Sequence, residues 1–369
     1  MPPTAMKQLS CRSFLISLFI FSSCLAVRSG EAKSLSFHYQ TQPGHHTVFL
    51  ASNLNQWNTL QTPLLQVAPG EYHLELEAPW LPALEYKLVV DGQWLTDPLN
   101  PKQSPDGVGG WNSVKDTGFI EDPLLELQPG TAPQRLLQWS VPIDSSQKKG
   151  RTLYASVPSD LRKQLQSEQR AVLFLYFQDG KDYLSKAGVA ALLANLNRES
   201  ALPLLIGIFL PPVDRMNEYG LTPKTEEYGK LLTETIIPFV ERTLTPKSTS
   251  SAQIRRALIG PSLGGLVTLY LGLKYSHLFN AAGSQSGSFW FKPALIENLI
   301  QTHPGPRPRL WLDVGTYETE SMMGFNRKVR DQLLSAGYKI RYEEAPSLHD
   351  WTAWRNRLQT MIRFLAQEQ

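Results

Sequence analysis

The chain has only two cysteines, Cys11 and Cys24, both close to its start, so everything downstream is built without a disulfide or thiol chemistry. It also lacks charge of one sign: 36 Lys and Arg stand against 33 Asp and Glu, and no run of basic residues stands out. That balance argues against a nucleic-acid partner. Beyond the N-terminus no apolar run approaches the roughly 20 residues needed to span a bilayer, so no further membrane segment is expected. There is no internal repeat, no low-complexity tract, no His/Glu cluster at metal-ligand spacing and no phosphate-cradling Gly loop with its lysine. No metal and no cofactor are therefore expected. What remains is an ordinary globular composition, 42% hydrophobic and 19% charged, in 369 residues, enough for two domains.

The first segment reads as an export signal. Lys7 and Arg12 precede the apolar stretch Ser13 to Val27, followed by the small residues Ser29-Gly30-Glu31-Ala32. An apolar core of about 15 residues is too short for a spanning helix, so a cleaved signal over residues 1–32 is expected rather than an anchor. The destination is then the periplasm or beyond. Cys24 follows Phe21-Ser22-Ser23, a loose lipoprotein box without its usual leucine, which leaves lipid anchoring as the lesser alternative.

Residues 33–118 read as a small all-β sandwich. Thr47 to Leu50, Glu71 to Leu76 and Leu84 to Val90 look like strands, and Asp91-Gly92 makes a hairpin turn into Gln93 to Leu95. Residues 119–148, broken by Pro123, Pro129, Gly130 and Pro133, read as a linker in which Leu136 to Val141 begins a strand. From 149 to 369, apolar strands at 170–177, 204–210, 256–259, 281–285, 310–314 and 340–344 alternate with helical periods. The helices are expected at 189–198, 225–244, 263–275, 327–336 and 351–367. Buried strands separated by helices imply an α/β fold with a mostly parallel sheet covered on both faces.

The chemistry gathers in Gly260-Pro261-Ser262-Leu263-Gly264, a Gly-x-Ser-x-Gly between an apolar strand and a helix. That context suits a nucleophile on a sharp turn, with glycines removing side chains two residues either side and a helix N-terminus aimed at developing negative charge. The motif alone also fits a structural glycine turn. A serine hydroxyl needs a base. Of the downstream histidines, His277 ends the helix that starts at the serine and His303 lies in a Pro-rich loop. His349 sits between the last strand and the last helix, where an α/β hydrolase places its base. The acid should follow the strand at 310–314. Asp313 is inside that strand, Glu318 lies in the loop after it, and Glu320 is the alternative to Glu318. One oxyanion amide would come from Leu263 and the other from the loop Gln178-Asp179-Gly180-Lys181, with Lys181, or one position either side, as the donor.

These residues carry a resemblance. Leu-Tyr-Phe-Gln-Asp-Gly180, Asp214-Arg215-Met-Asn-Glu218-Tyr219, Gly-Pro-Ser262-Leu-Gly-Gly-Leu, Ser284-Gln-Ser-Gly-Ser-Phe-Trp290, Gly-Thr-Tyr-Glu318 and His349-Asp-Trp-x-x-Trp-Arg355 occur in the order of the Putative esterase (esterase D) family and most resemble enterochelin esterase and its relatives. The likeness implies an α/β hydrolase with Ser262, Glu318 and His349 as triad, and Arg215 and Trp290 at the substrate pocket; the alternative for Arg215 is a salt bridge to Glu218. One departure is that the loop before the histidine, usually glycine-rich, is Ala345-Pro346-Ser347-Leu348 here. The first module resembles a glycogen-binding-type, immunoglobulin-like sandwich, which puts Trp57, Lys87 and Trp94 at carbohydrate-binding positions; tryptophan is equally a core residue of such sandwiches.

Three functions follow from this reading. The first is a serine carboxylic ester hydrolase acting on a small-molecule or polysaccharide ester, either a siderophore trilactone or a feruloyl or acetyl-xylan ester. The second is acyl transfer to a sugar by the same triad. The third is a non-catalytic carbohydrate-binding protein on a hydrolase scaffold.

Overall fold

A computed structural model of the chain describes residues 34–106, 109–142, 150–167, 170–246 and 253–367. The expected signal segment 1–32, with Cys11 and Cys24, lies outside the described residues.

Among the described residues the first module has eight strands: β1 (Ser34–Gln40), β2 (Val48–Ser52), β3 (Leu65–Ala68), β4 (Glu71–Glu77), β5 (Ala83–Val90), β6 (Gln93–Leu95), β7 (Gln103–Pro105) and β8 (Trp111–Asp116). They form two antiparallel sheets, β1-β4-β3 and β2-β5-β8-β7, with β6 hairpinned onto β5. The hairpin forms because Asp91 and Gly92 take φ of 48° and 82°, the mirror-image turn that matches strand twist. The two sheets share one core. Phe37 of β1 meets Tyr86 of β5 edge-on at 5.0 Å, among Leu35, Leu50, Leu84 and Leu88.

The second half is built on eight further strands: β9 (Arg135–Pro142), β10 (Gly150–Val157), β11 (Val172–Gln178), β12 (Leu204–Leu210), β13 (Ile254–Pro261), β14 (Ala281–Gln285), β15 (Arg309–Gly315) and β16 (Ile340–Ala345). Their order is β9-β10-β12-β11-β13-β14-β15-β16, parallel from β12 to β16. β10 runs antiparallel to both its neighbours. The strands at β11 and β12 are apolar on both faces because both are covered. Val172, Phe174 and Tyr176 enter the core on one side, Leu173, Leu175 and Phe177 the core on the other. The chain leaves β11 toward β12 on one side and returns to β13 on the other. The C-terminal ends of β11 and β13 therefore flank a switch point, where open α/β sheets hold their ligands.

Three expectations are revised. The span read as a linker holds, besides its expected strand, now β9 at the edge of the large sheet, a residue of the core, Leu125. The helix expected at 225–244 is α-helical over Pro223–Lys230 and Ile237–Leu244 with a π segment, Leu231–Ile236, between them. Pro238 has no N–H to donate, and the wider turn ahead of it absorbs the missing bond. Strands β1, β3, β7, β8 and β10, and the helices Leu161–Ser167, Gly180–Lys186, Arg215–Tyr219 and Pro293–Thr302, have no counterpart among the expected elements because they are short or only partly apolar.

The last helix, Trp351–Ala366, is tied to β15 by an ion pair with no access to water. The guanidinium of Arg357 meets the carboxylate of Asp313, which also accepts from Trp311 Nε1 at 2.7 Å. Burial pushes the Asp313 carboxyl up, and Arg357 pulls it back down. Arg357→Met would strand that charge, and a stability loss of about 3–5 kcal/mol is expected in chemical unfolding.

Candidate active site

β13 runs straight into a reversal. Ser262 follows its last residue with φ 57° and ψ −122°, a region an L-residue occupies only under constraint. Two glycines permit it. A Cβ at Gly260 would collide with the backbone of Gly264, and a Cβ at Gly264 would lie 2.7 Å from Asp179 Oδ2. Ser262 donates its N–H to Gln285 O of neighbouring β14 at 2.8 Å and caps the helix Leu263–Lys274, to which its carbonyl contributes the first bond, from Leu266 N at 3.0 Å. The side chain is thereby turned off the sheet, at the positive end of a helix.

His349 comes to this hydroxyl from the far end of the chain. Its Nε2 lies 3.0 Å from Ser262 Oγ and its Nδ1 lies 2.7 Å from Glu318 Oε2. An ionised carboxylate only accepts, so Nδ1 carries the proton and Nε2 is left to accept from the serine. The Glu318 side chain is 1% exposed, and its other oxygen accepts from Gly315 N at 2.7 Å and Ser286 Oγ at 2.6 Å. Ser286 in turn accepts from Trp354 Nε1 at 3.0 Å, and the Trp354 ring stands edge-on to the imidazole at 5.0 Å. Ser288 adds a second hydroxyl, 3.3 Å from Ser262 Oγ.

The other sequence candidates lie elsewhere. Asp313 is bonded to Arg357, and Glu320 is exposed at the start of its helix. His303 bonds Ser276 at 3.0 Å. Ser286, Ser288 and Trp354 were not assigned roles from the sequence. All three lie inside the stretches that carried the family resemblance, and that was the signal available for them.

At the end of β11, Asp179 takes φ 54° and turns the chain into the helix Gly180–Lys186. Gly180 is required there, since a Cβ would strike the backbone of Phe209 and Leu210. Leu263 and Lys181 both stand in the first turn of a helix, where N–H groups have no intrahelical acceptor. Arg215 is found on Asp179, with bonds of 2.7 and 2.8 Å, and not on Glu218. Glu218 is taken by Arg151, whose side chain is 2% exposed, at 2.9 and 2.8 Å. The reason is burial. Arg151 has no access to water and claims the nearest carboxylate, while the Asp179 carboxyl, pushed up by its own desolvation and pulled back by Arg215, needs a cation of its own. Trp290, 47% exposed, stands two residues beyond Ser288, and Val213 and Met216 are exposed on either side of Arg215.

In the first module Trp94 is exposed. Trp57 is half-buried with φ 61°, and the Lys87 ammonium is held 2.7 Å from Asp106 Oδ2. Register places Val89 opposite Trp94, so Lys87 and Trp94 share a face of the five-stranded sheet. Among the described residues no group of three or more His, Cys, Asp or Glu is placed to hold a metal, and no helix is long and apolar enough to cross a membrane.

The chain is similar to known proteins. The family described as Putative esterase matches residues 149–365. The chain is 24% identical over 350 residues to iron(III) enterobactin esterase of Escherichia coli K12, covering 87% of this chain and 81% of that one. It is 25% identical over 305 residues to an endo-1,4-beta-xylanase/feruloyl esterase of Xylanibacter ruminicola, covering 78% of this chain and 39% of that one. The crystal structure of ferric enterobactin esterase from Salmonella typhimurium superposes with a TM-score of 0.58 at 17% identity, covering 90% of this chain and 93% of that one, and so shares its fold.

Arg215→Met leaves the Asp179 carboxylate without its partner. Because the arginine side chain is 38% exposed, the expected loss of stability is on the order of 1–3 kcal/mol, below that of a fully buried pair. The raised carboxyl binds its proton more tightly in the folded state than in the unfolded one. The deficit should therefore be full at neutral pH and shrink as pH falls through the Asp179 pKa, as read from urea unfolding at several pH values.

Proposed function

The chain belongs to the Putative esterase family and is an enterochelin esterase-like carboxylic ester hydrolase; on that premise we propose that Ser262, His349 and Glu318 are its nucleophile, base and acid. The observation that carries this is the imidazole spanned between the serine hydroxyl at 3.0 Å and the buried carboxylate at 2.7 Å.

In this reading Ser262 Oγ attacks the ester carbonyl as His349 Nε2 takes its proton. The carbonyl oxygen becomes an oxyanion held by the N–H groups of Leu263 and Lys181. Collapse of the tetrahedral intermediate breaks the bond to the alkoxide, which leaves with the proton from the imidazolium and frees the acyl-serine. A water then gives its proton to His349, attacks the acyl carbonyl, and releases the acid as Ser262 regains its hydrogen. Glu318 fixes the tautomer and stabilises the imidazolium without taking the proton.

The substrate we infer is a catecholate siderophore trilactone. It is supported by the relatives that cleave iron(III) enterobactin and by an exposed aromatic and apolar rim, Trp290, Met216 and Val213, beside the nucleophile loops. A feruloyl ester of plant polysaccharide is the second reading. It is favoured by the feruloyl esterase relative and by Trp94 standing exposed beside Lys87 on a module of glycogen-binding type. Sugar binding at Trp57, Lys87 and Trp94 belongs to that reading, and so does Arg215 as a pocket residue. Export to the periplasm or beyond, with Cys24 as the alternative lipid anchor, is supported by the charged, apolar and small-residue order of residues 7–32.

Ser262→Ala is expected to reduce kcat on an aryl acetate by at least about a thousandfold with the fold intact. Turnover of ferric enterobactin far above that of methyl ferulate supports the trilactone; the reverse order selects the polysaccharide ester. Retention of aryl-ester activity by Ser262→Ala would remove the triad assignment.

A further inference from the structure

We propose that the first module is a positioning element for the catalytic base, acting through Trp80 in its β4–β5 connection. The proposal rests on the reading of His349 and Glu318 as base and acid.

Those two residues sit on loops that leave the exposed side of the large sheet. β16 is its edge strand, and the base loop Pro346–Leu348 follows it directly. The base and acid loops hold each other by Thr316 N to Ala345 O at 2.7 Å and Tyr317 N to Ser347 O at 3.2 Å. Gly315 allows this approach, since a Cβ there would overlap the Ser347 carbonyl.

The first module grips both loops from outside. The Trp80 N–H donates to Pro346 O at 2.7 Å, three residues before the imidazole. The Tyr317 hydroxyl, one residue before the acid, donates to the Glu77 carbonyl at the end of β4. Tyr317 and Leu348, which precede Glu318 and His349 directly, both pack against the core of the first module. The Trp80 ring lies between Phe119, stacked at 6.0 Å and 20°, and the Arg357 guanidinium at 5.6 Å. That guanidinium bonds Ser347 Oγ in the base loop and Asp313 in β15.

The strap that presents Trp80 is stiff. Pro79 and Pro82 fix two of its φ angles, and Thr117 bonds Leu81 O. A stiff strap, a backbone bond and a cation–π contact all converge on residues 346–347. They hold the imidazole to the few tenths of an ångström that a productive serine–histidine bond demands.

The test uses the full chain and a small aryl ester, which is too short to reach the first module. Trp80→Ala is expected to lower kcat about tenfold or more with KM unchanged within about twofold, the pattern of misplaced catalytic groups rather than lost binding. The low-field proton resonance of His349 Nδ1–H, read without substrate, should broaden or vanish. Trp80→Phe keeps an aromatic ring beside Phe119 and Arg357, the backbone N–H to Pro346 O being present in both variants, and should stay within about threefold of the parent kcat. A folded Trp80→Ala with parental kcat and an intact low-field resonance overturns the proposal, even if KM or melting temperature shifts. If Trp80→Ala does not fold, Tyr317→Phe decides, because it deletes a single hydroxyl. A kcat loss of more than about threefold at constant KM supports the clamp, and a kcat within about threefold of the parent overturns it. Ser262→Ala run alongside separates the two ideas, since ester turnover surviving that change sinks the triad reading itself and not the role of Trp80.

Discussion

A serine held at φ 57° after a buried strand is the constraint from which the rest of this molecule can be understood. That conformation costs on the order of 1–3 kcal/mol and persists only where the surroundings leave no alternative. Here β14 takes the Ser262 N–H, the next helix takes its carbonyl, and glycines at 260 and 264 let the two arms of the turn close. The parallel sheet supplies the rigidity. The helix that follows supplies unpaired N–H groups where an oxyanion would form.

Around that turn the polar groups divide by access to water. Glu318 is sealed in with three partners, whereas the His349 side chain is 35% exposed and touches the serine from the open side. A fixed carboxylate and a reachable imidazole are what the proposed acid and base require. Two further buried carboxylates, Asp179 and Asp313, have an arginine each and shape the loops without touching the serine. The first module belongs to this arrangement, because its β4–β5 connection leans on the loops that bear Glu318 and His349.

Much of the fold was legible where burial is complete. The run at 204–210 is a strand over those same residues, because a strand covered on both faces has no polar positions to blur its ends, and 281–285 keeps its bounds although it closes on the buried polar Ser284 and Gln285. Where one face meets solvent, as in β1 and β8, the alternation is mixed with Ser, His, Asn and Lys and the strands were not read. β9 was legible as Leu136 to Val141 even inside a proline-bounded segment, and it proves to be the edge strand of the large sheet. The long helix was read as uninterrupted because a π segment leaves the apolar periodicity almost unchanged while moving the backbone bonds.

The sequence by itself determined the glycine-flanked turn at Ser262 and the chain order of the candidate groups around it. It also determined the α/β architecture, because glycine spacing and apolar runs are local properties that act through backbone sterics and burial. Only the tertiary structure decided which groups meet. His349 reaches a serine 87 positions away, Glu318 is chosen over Glu320 by one turn of backbone, and Arg215 pairs with Asp179 because Arg151 has claimed Glu218. Those choices depend on how strands distant in sequence line up at one edge of a sheet. No local pattern encodes that alignment, since it is set by apolar packing between strands far apart in sequence, and the buried carboxylates then need whichever cation the packing brings near.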